Sequence, residues 1–271
     1  MTFLEKLERV TAPSSLGLCV GLDPDPNRLP LQFSPNPDGI FQFLLKVISV
    51  SAPYAAAYKV NTAFYEAWGQ EGWSLLENIA KALPESAVRI ADAKRGDIGN
   101  TAKHYARAFL DRMPFDAVTL NPYMGGDTLQ PFLENADKGA YVLALTTNRG
   151  SKDLQYFSDG KSTLYQHILQ MIPTWAPNGN LGAVVGATHP QELALIRRQF
   201  PSIPLLIPGI GAQGGDAQAI VEIAGGEDRG PLLVNVSRAL LYPDNDLDFP
   251  ENVKQACLNF RELLKIKLNP V

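Results

Sequence analysis

From Leu16 onward, short apolar runs alternate with longer stretches in which apolar residues recur every three or four positions. The runs read as strands buried in a parallel sheet, and the stretches between them as helices with one buried face. Leu16 to Asp23 is the first predicted strand. It places Gly17, Cys19, Gly21 and Asp23 on one face and Leu18, Val20 and Leu22 on the other. Small residues inward and large ones outward suit a crowded barrel interior. The spacing predicts further strands at Ala55 to Asn61, Ala87 to Ala91 with the polar motif at its end, Phe115 to Pro122, Ala140 to Asn148, Leu181 to Thr188, Leu205 to Pro208 and Leu232 to Val236. Helices are predicted at Ile40 to Val50, Phe64 to Leu83 with a break near Gly69 and Gly72, Gly99 to Asp111, Gly126 to Ala136 and Thr163 to Ile172. Three more follow, at Pro190 to Phe200, Ala217 to Ala224 and Glu251 to Leu268. Strands alternating with helices imply parallel βα units. Eight of each in 271 residues, with no linker-like break, favour one (β/α)8 barrel domain over residues 1–271 rather than an open doubly wound sheet.

Composition narrows the function classes. Hydrophobic residues at 45% and charged residues at 19% are an ordinary globular balance. A net charge of -4 gives no reason to expect nucleic acid or an anionic membrane as partner. Charges at Glu5, Lys6, Glu8 and Arg9 interrupt the apolar run that a signal peptide needs. No apolar stretch approaches the roughly 18 residues of a membrane span. The two cysteines, Cys19 and Cys257, do not form a disulfide framework, and a reduced, cytoplasmic setting fits. His104, His167 and His189 fall in or at the start of predicted helices, as surface or capping residues. A structural zinc site is therefore not expected.

The chemistry gathers at the carboxyl ends of the strands, where barrels of this kind hold their active sites. Reading those ends gives Asp23, Lys59, Asp92, Lys94, Thr147, a glycine-rich loop and Arg238. In Asp92-Ala93-Lys94-Arg95-Gly96-Asp97-Ile98-Gly99-Asn100-Thr101, alternation places Val88, Ile90, Asp92 and Lys94 on one face. Gly96 and Gly99 then allow a turn that carries Asp97 just beyond the strand tip. A surface turn with solvated charges would show the same residues, so the six-residue spacing alone decides little. Asp23, Lys59, Asp92 and Lys94 could interleave as alternating charges, which would keep both lysines protonated. The loop Pro208 to Gly215 has four glycines just before a helix, so its backbone N–H groups can cradle an anion. Arg238 at the next strand end offers a forked donor, and together they suggest a small phosphorylated substrate.

With these residues in place, nearly the whole chain resembles the orotidine 5'-phosphate (OMP) decarboxylases, in particular their longer subgroup with the Asp-Ala-Lys-Arg-Gly-Asp-Ile-Gly-Asn-Thr motif. The resemblance rests on Leu22-Asp23-Pro24, Lys59-Val60-Asn61, Asp92 to Thr101, Asn121-Pro122-Tyr123-Met124-Gly125, Thr146-Thr147-Asn148, Val185 to Thr188, Pro208 to Asp216 and Ser237-Arg238. It implies conversion of OMP to UMP in de novo pyrimidine biosynthesis, with no metal or organic cofactor, by a homodimer with shared sites. It also implies that Asp23 and Lys59 hold the ribose hydroxyls and the charge network. Asp92 would face the substrate carboxylate, and Lys94 would protonate C6. Asp97, Ile98 and Thr101 would come from the partner subunit. Thr147 would contact the pyrimidine, where the family often has serine. Gln213 and Arg238 would clasp the phosphate, with Pro208 in the same loop and Gly211 offering backbone donors.

Three other readings remain open on the sequence. Related metal-dependent sugar-phosphate enzymes such as hexulose-phosphate synthase share Asp-x-Lys-x-x-Asp, but lack a lysine corresponding to Lys59. A Schiff-base aldolase needs a strand-end lysine of lowered pKa, which flanking aspartates oppose. A non-catalytic sensor of phosphorylated ligands is disfavoured by the complete acid–lysine set.

Overall fold

Parallel strands need long crossovers, and a strand that feeds a helix can pair with the next strand only after that helix has packed back on the sheet. The computed structural model of the chain describes residues 1–210, 217–224, 229–244 and 248–264, and it repeats this unit around a closed ring. The strands are β1 (Leu16–Gly21), β2 (Ala57–Asn61), β3 (Val88–Arg95), β4 (Ala117–Leu120), β5 (Gly139–Leu145), β6 (Leu181–Val185), β7 (Leu205–Pro208) and β8 (Leu232–Val236). Each pairs in parallel with the next, and β8 pairs with β1, which closes the barrel. The expected (β/α)8 architecture is thus present.

The first strand behaves as its alternation requires. Cys19 joins Ala57, Val88, Ile90, Ala117 and Tyr141 in the barrel interior. Leu18, Val20 and Leu22 face outward into the larger core between sheet and helices. That outer core is filled from α2 (Pro37–Ser51) by Ile40, Phe43, Leu44 and Val47, all fully buried.

The first helix is one the sequence reading did not include. The N-terminal stretch is a helix, α1 (Phe3–Thr11), opened by a capping box in which the Thr2 hydroxyl accepts the Glu5 N–H and the Glu5 carboxylate accepts the Thr2 N–H. It closes the amino end of the barrel. Phe3 and Leu7 are fully buried there, and the Phe3 ring meets Tyr141 edge-on at 6.2 Å. At Gly139 a side chain would lie 2.2 Å from the Phe3 ring, so only glycine fits. Lys6 anchors the helix through Asp116 Oδ2 at 2.8 Å, and Arg89 grips the same carboxylate from its backbone and its guanidinium. With this end plugged, the opening lies at the other.

Several predicted helices divide. The stretch expected from Phe64 to Leu83 is α3 (Ala63–Glu66) and α4 (Gly69–Ala82), which parts at Gly69, where φ is +61°. The helix expected from Gly99 to Asp111 is α5 (Gly99–Ala106), continued by a π-helical stretch, Arg107–Arg112. In place of one helix over Gly126 to Ala136 stand a 3-10 turn, Gly126–Thr128, and a single helical turn, α6 (Gln130–Leu133). A short α7 (Ser151–Leu154) precedes α8 (Leu164–Trp175), and α9 (Pro190–Gln199) and α10 (Ala217–Ala224) fall as expected. After β8 come α11 (Arg238–Leu241), which the sequence did not suggest, and α12 (Glu251–Leu263). Residues 265–268 of the expected last helix lie outside the described residues. No helix among the described residues is long and apolar enough to cross a membrane.

Candidate active site

At the carboxyl mouth the inward positions change from apolar to charged. Two residues beyond inward Ala57 comes Lys59, and two beyond inward Ile90 comes Asp92. Lys59 is almost fully buried, with Nζ 2.9 Å from Asp92 Oδ2 and 3.6 Å from Asp23 Oδ1. Lys94 Nζ lies 2.6 Å from Asp92 Oδ1. The four side chains therefore form the row Asp23–Lys59–Asp92–Lys94, with alternating sign. Burial disfavours the Lys59 ammonium, but Asp23 and Asp92 outweigh it and raise its pKa above the ordinary lysine value. Burial likewise opposes the Asp92 charge, and Lys59 and Lys94 outweigh it, so its pKa is held well below the carboxylate range.

The alternation read along β3 carries through to this row: Val88 and Ile90 face the barrel interior, Asp92 and Lys94 line the cleft above them, and Ala91 and Ala93 pack in the outer core, although the register to β4 slips. Ala91 pairs with Val118, and Arg95 pairs with Leu120. Three residues of β3 thus oppose Thr119 alone, a bulge at the tip of the strand. Lys94 itself adopts φ +48°, a left-handed conformation costly for a residue with a Cβ. Gly96 permits the chain to return close to β4, where a side chain would lie 3.1 Å from the Asn121 carbonyl. Gly99 takes φ +50° as α5 begins.

A cleft of about 1340 Å³ opens over the row. Its walls include the expected Asp23, Lys59, Asp92, Lys94, Thr147, Pro208 and Arg238. Arg238 begins α11 at the end of β8, across from the Pro208–Gly209 corner, where Gly209 has φ +104°. Gly211 and Gln213 lie outside the described residues. Asp97, Ile98 and Thr101 are not among the cleft's lining residues. Asp97 accepts the Ile98 N–H at 2.8 Å, and Ile98 is 61% exposed, so this turn projects outward from its own barrel.

Several lining residues were not singled out by sequence. Thr119 bonds both Asp92 and the Lys94 backbone. Phe64, Ala67 and Trp68 add an apolar stretch to the wall. Gln155 accepts the Thr146 N–H and donates to its hydroxyl, both at 2.8 Å, and so steadies the end of β5. His189 does not cap α9 with its side chain; its Nε2 lies 3.0 Å from the Thr146 carbonyl, behind the same strand end. Such residues carry no sequence signal of function: Thr119 reads as a strand former, and Phe64, Ala67 and Trp68 as part of a helix. Among the described residues no group of three or more His, Cys, Asp or Glu could hold a metal ion.

A closed (β/α)8 barrel with a row of acids and ammonium groups in an open carboxyl-end cleft defines a barrel enzyme whose site is built on fixed charge. The comparisons with known proteins agree with that class and narrow it. The family described as "Orotidine 5'-phosphate decarboxylase / HUMPS family" matches residues 17–247. An orotidine 5'-phosphate decarboxylase of Roseiflexus castenholzii is 44% identical over 274 residues, which cover 100% of both chains. One from Dehalococcoides mccartyi strain CBDB1 is 41% identical, covering 97% of each chain. The solved structure of Leishmania donovani OMP decarboxylase superposes with a TM-score of 0.83 at 37% identity, covering 98% of this chain and 100% of that one. The chain belongs to the orotidine 5'-phosphate decarboxylase / HUMPS family.

Proposed function

We propose that this chain is a carboxy-lyase that converts OMP to UMP in de novo pyrimidine biosynthesis, without metal or organic cofactor. The observation that carries the reading is Lys59 Nζ lying between Asp23 and Asp92. An ammonium there fills the place a divalent cation would need between the two carboxylates, which disfavours the metal-dependent relatives. The flanking acids also keep Lys59 cationic, the wrong state for Schiff-base formation.

Loss of CO2 breaks the bond at C6 and leaves its electron pair on a carbon that the ring cannot stabilise by delocalisation. Lys94, held to Asp92, supplies a fixed positive charge beside that carbon and then transfers a proton from Nζ to C6. Its side chain is 47% exposed, so solvent can return the proton. Asp92 sits against the substrate carboxylate, and Asp23 and Lys59 take the ribose hydroxyls. Thr147 contacts the pyrimidine. Arg238, Gln213 and the Pro208–Gly211 backbone hold the phosphate, whose binding energy is remote from C6 and can order the surrounding loops.

The working form is a cytoplasmic homodimer in which Asp97, Ile98 and Thr101 of one subunit complete the other's cleft. The outward set of that turn and the exposed Ile98 support this. Mixing Asp97→Ala and Lys94→Ala chains, each nearly inactive alone, is expected to restore activity as subunits exchange. Half of the dimers would be mixed and one of their two sites intact, so recovery should reach about a quarter of the wild-type level. No recovery despite exchange would refute shared sites.

The direct test of the reaction follows the fall in OMP absorbance on addition of the chain, with and without EDTA. Turnover that survives the chelator is the expected result. An unchanged OMP spectrum, or activity abolished by EDTA and restored by magnesium, would overturn the proposal.

A further inference from the structure

The bulge at the end of β3 leaves two problems that one side chain solves. Where β3 and β4 lose register between Ala91 and Arg95, the Lys94 N–H cannot find a β4 carbonyl in the regular ladder. An N–H turned from water and left without an acceptor is costly, and this one lies in a part-buried pair. The Thr119 hydroxyl accepts it at 3.0 Å. That same hydroxyl donates to Asp92 Oδ1 at 2.9 Å, the oxygen that also takes Lys94 Nζ. Thr119 is fully buried, two residues beyond inward Ala117, so the strand itself aims it at the bulge.

We infer that Thr119 is a positioning residue, whose hydroxyl sets the Asp92 carboxylate and the Lys94 backbone against one another. Rotation about the last side-chain bond of an aspartate is soft, and two lysines on opposite sides leave the carboxylate plane free to tilt. A third bond, from the neighbouring strand, fixes that plane. The bond to the Lys94 N–H holds the residue at φ +48°, a conformation it would otherwise leave. One hydroxyl thus ties the Asp92 carboxylate and the Lys94 backbone into a single geometry. This role rests on the proposed decarboxylation, in which an ammonium displaced by a fraction of an ångström no longer faces the reacting carbon.

Thr119→Val keeps the shape and the strand preference and removes only the hydrogen bonds. It is expected to lower kcat for OMP by about 10- to 100-fold, while KM and the Kd for UMP stay within about threefold. Thr119→Ser, which keeps the hydroxyl, should stay within about threefold of wild type in kcat. If the valine variant does not fold, serine against alanine at the same position repeats the comparison with the oxygen as the sole difference. A valine variant with wild-type kcat, or a serine variant as impaired as valine, would overturn the inference. Crystals of the valine variant read the geometry without reference to turnover: Lys94 should leave φ +48° or its Nζ should move from Asp92. Lys94 still at φ +48° with an undisturbed Asp92–Lys94 contact in those crystals sinks the role of Thr119, whereas a wild-type chain inert toward OMP sinks the decarboxylase reading instead.

Discussion

Lys94→Ala is expected to lower kcat for OMP by about 10⁴-fold or more, because in the proposed mechanism it removes a charge stabiliser worth about 10²–10³ and a proton donor worth about 10²–10⁴. The Kd for UMP should change by less than about tenfold, since the ribose and phosphate contacts we propose lie elsewhere in the cleft and an interaction made chiefly in the transition state acts on kcat. Folding should be little affected: the Lys94 side chain is 47% exposed, and Asp92 keeps its bonds to Lys59 and Thr119. Steady-state kinetics beside calorimetric UMP titration would separate the two effects. Turnover within tenfold of wild type would remove Lys94 from the chemistry.

Lys59→Ala is expected to damage both stability and activity. It strips the central ammonium from a nearly dry site and leaves Asp23 and Asp92 without the charge between them. Removing one partner of a buried ion pair typically costs about 3–5 kcal/mol. Asp92 retains Lys94 and Thr119, so the lower end, about 3 kcal/mol, is expected, or about 6–12 °C in Tm for a domain of this size. Activity should fall by at least about 10²-fold, as Asp92 loses the bond on its Oδ2 side.

The pH dependence gives this second prediction its sign. A carboxyl whose folded pKa lies below its unfolded value of about 3.9 adds stability that is fully present above that value and is lost as pH falls toward the folded one. Asp92 and Asp116 are both lowered: burial opposes each charge, while Lys59 and Lys94 in the first case, and Arg89 and Lys6 in the second, outweigh it. Wild-type stability from these groups should therefore be flat above about pH 5 and decline below about pH 4. In Lys59→Ala the Asp92 part of that decline is smaller, so the stability gap between the two chains should narrow as the solution is acidified. Urea midpoints at pH 7, 5 and 3 would show it; a gap that widens toward pH 3 would contradict the assigned pairing.

How much of this was legible in the chain depends on whether the deciding contact is local. The strand at Leu16 declares itself through alternation, and its small inward residues follow from the crowding of eight strands about one axis. Asp23, Lys59 and Asp92 could be placed because each lies at or just beyond a predicted strand's end, and barrel chemistry collects there. Alternation also puts Lys94 on the face of Asp92, but its left-handed backbone sits in a bulge that exists only in the register between β3 and β4. Thr119 was overlooked for the same cause, since a threonine between Val118 and Leu120 reads as an ordinary strand former. The capping box at Thr2 and Glu5 was present in the sequence, but what makes α1 matter is Phe3 reaching Tyr141 across the barrel floor. Asp97, Ile98 and Thr101 do not line the cleft of their own barrel, and the part proposed for them rests on a second copy of the chain.

A crystal structure of the chain with UMP bound tests the charge row most directly. Lys94 Nζ should stand about 3–3.5 Å from C6 of the pyrimidine, with Lys59 still between Asp23 and Asp92 and the phosphate against Arg238. A nucleotide seated with C6 turned away from Lys94, or with its phosphate on the lysines, would contradict that arrangement.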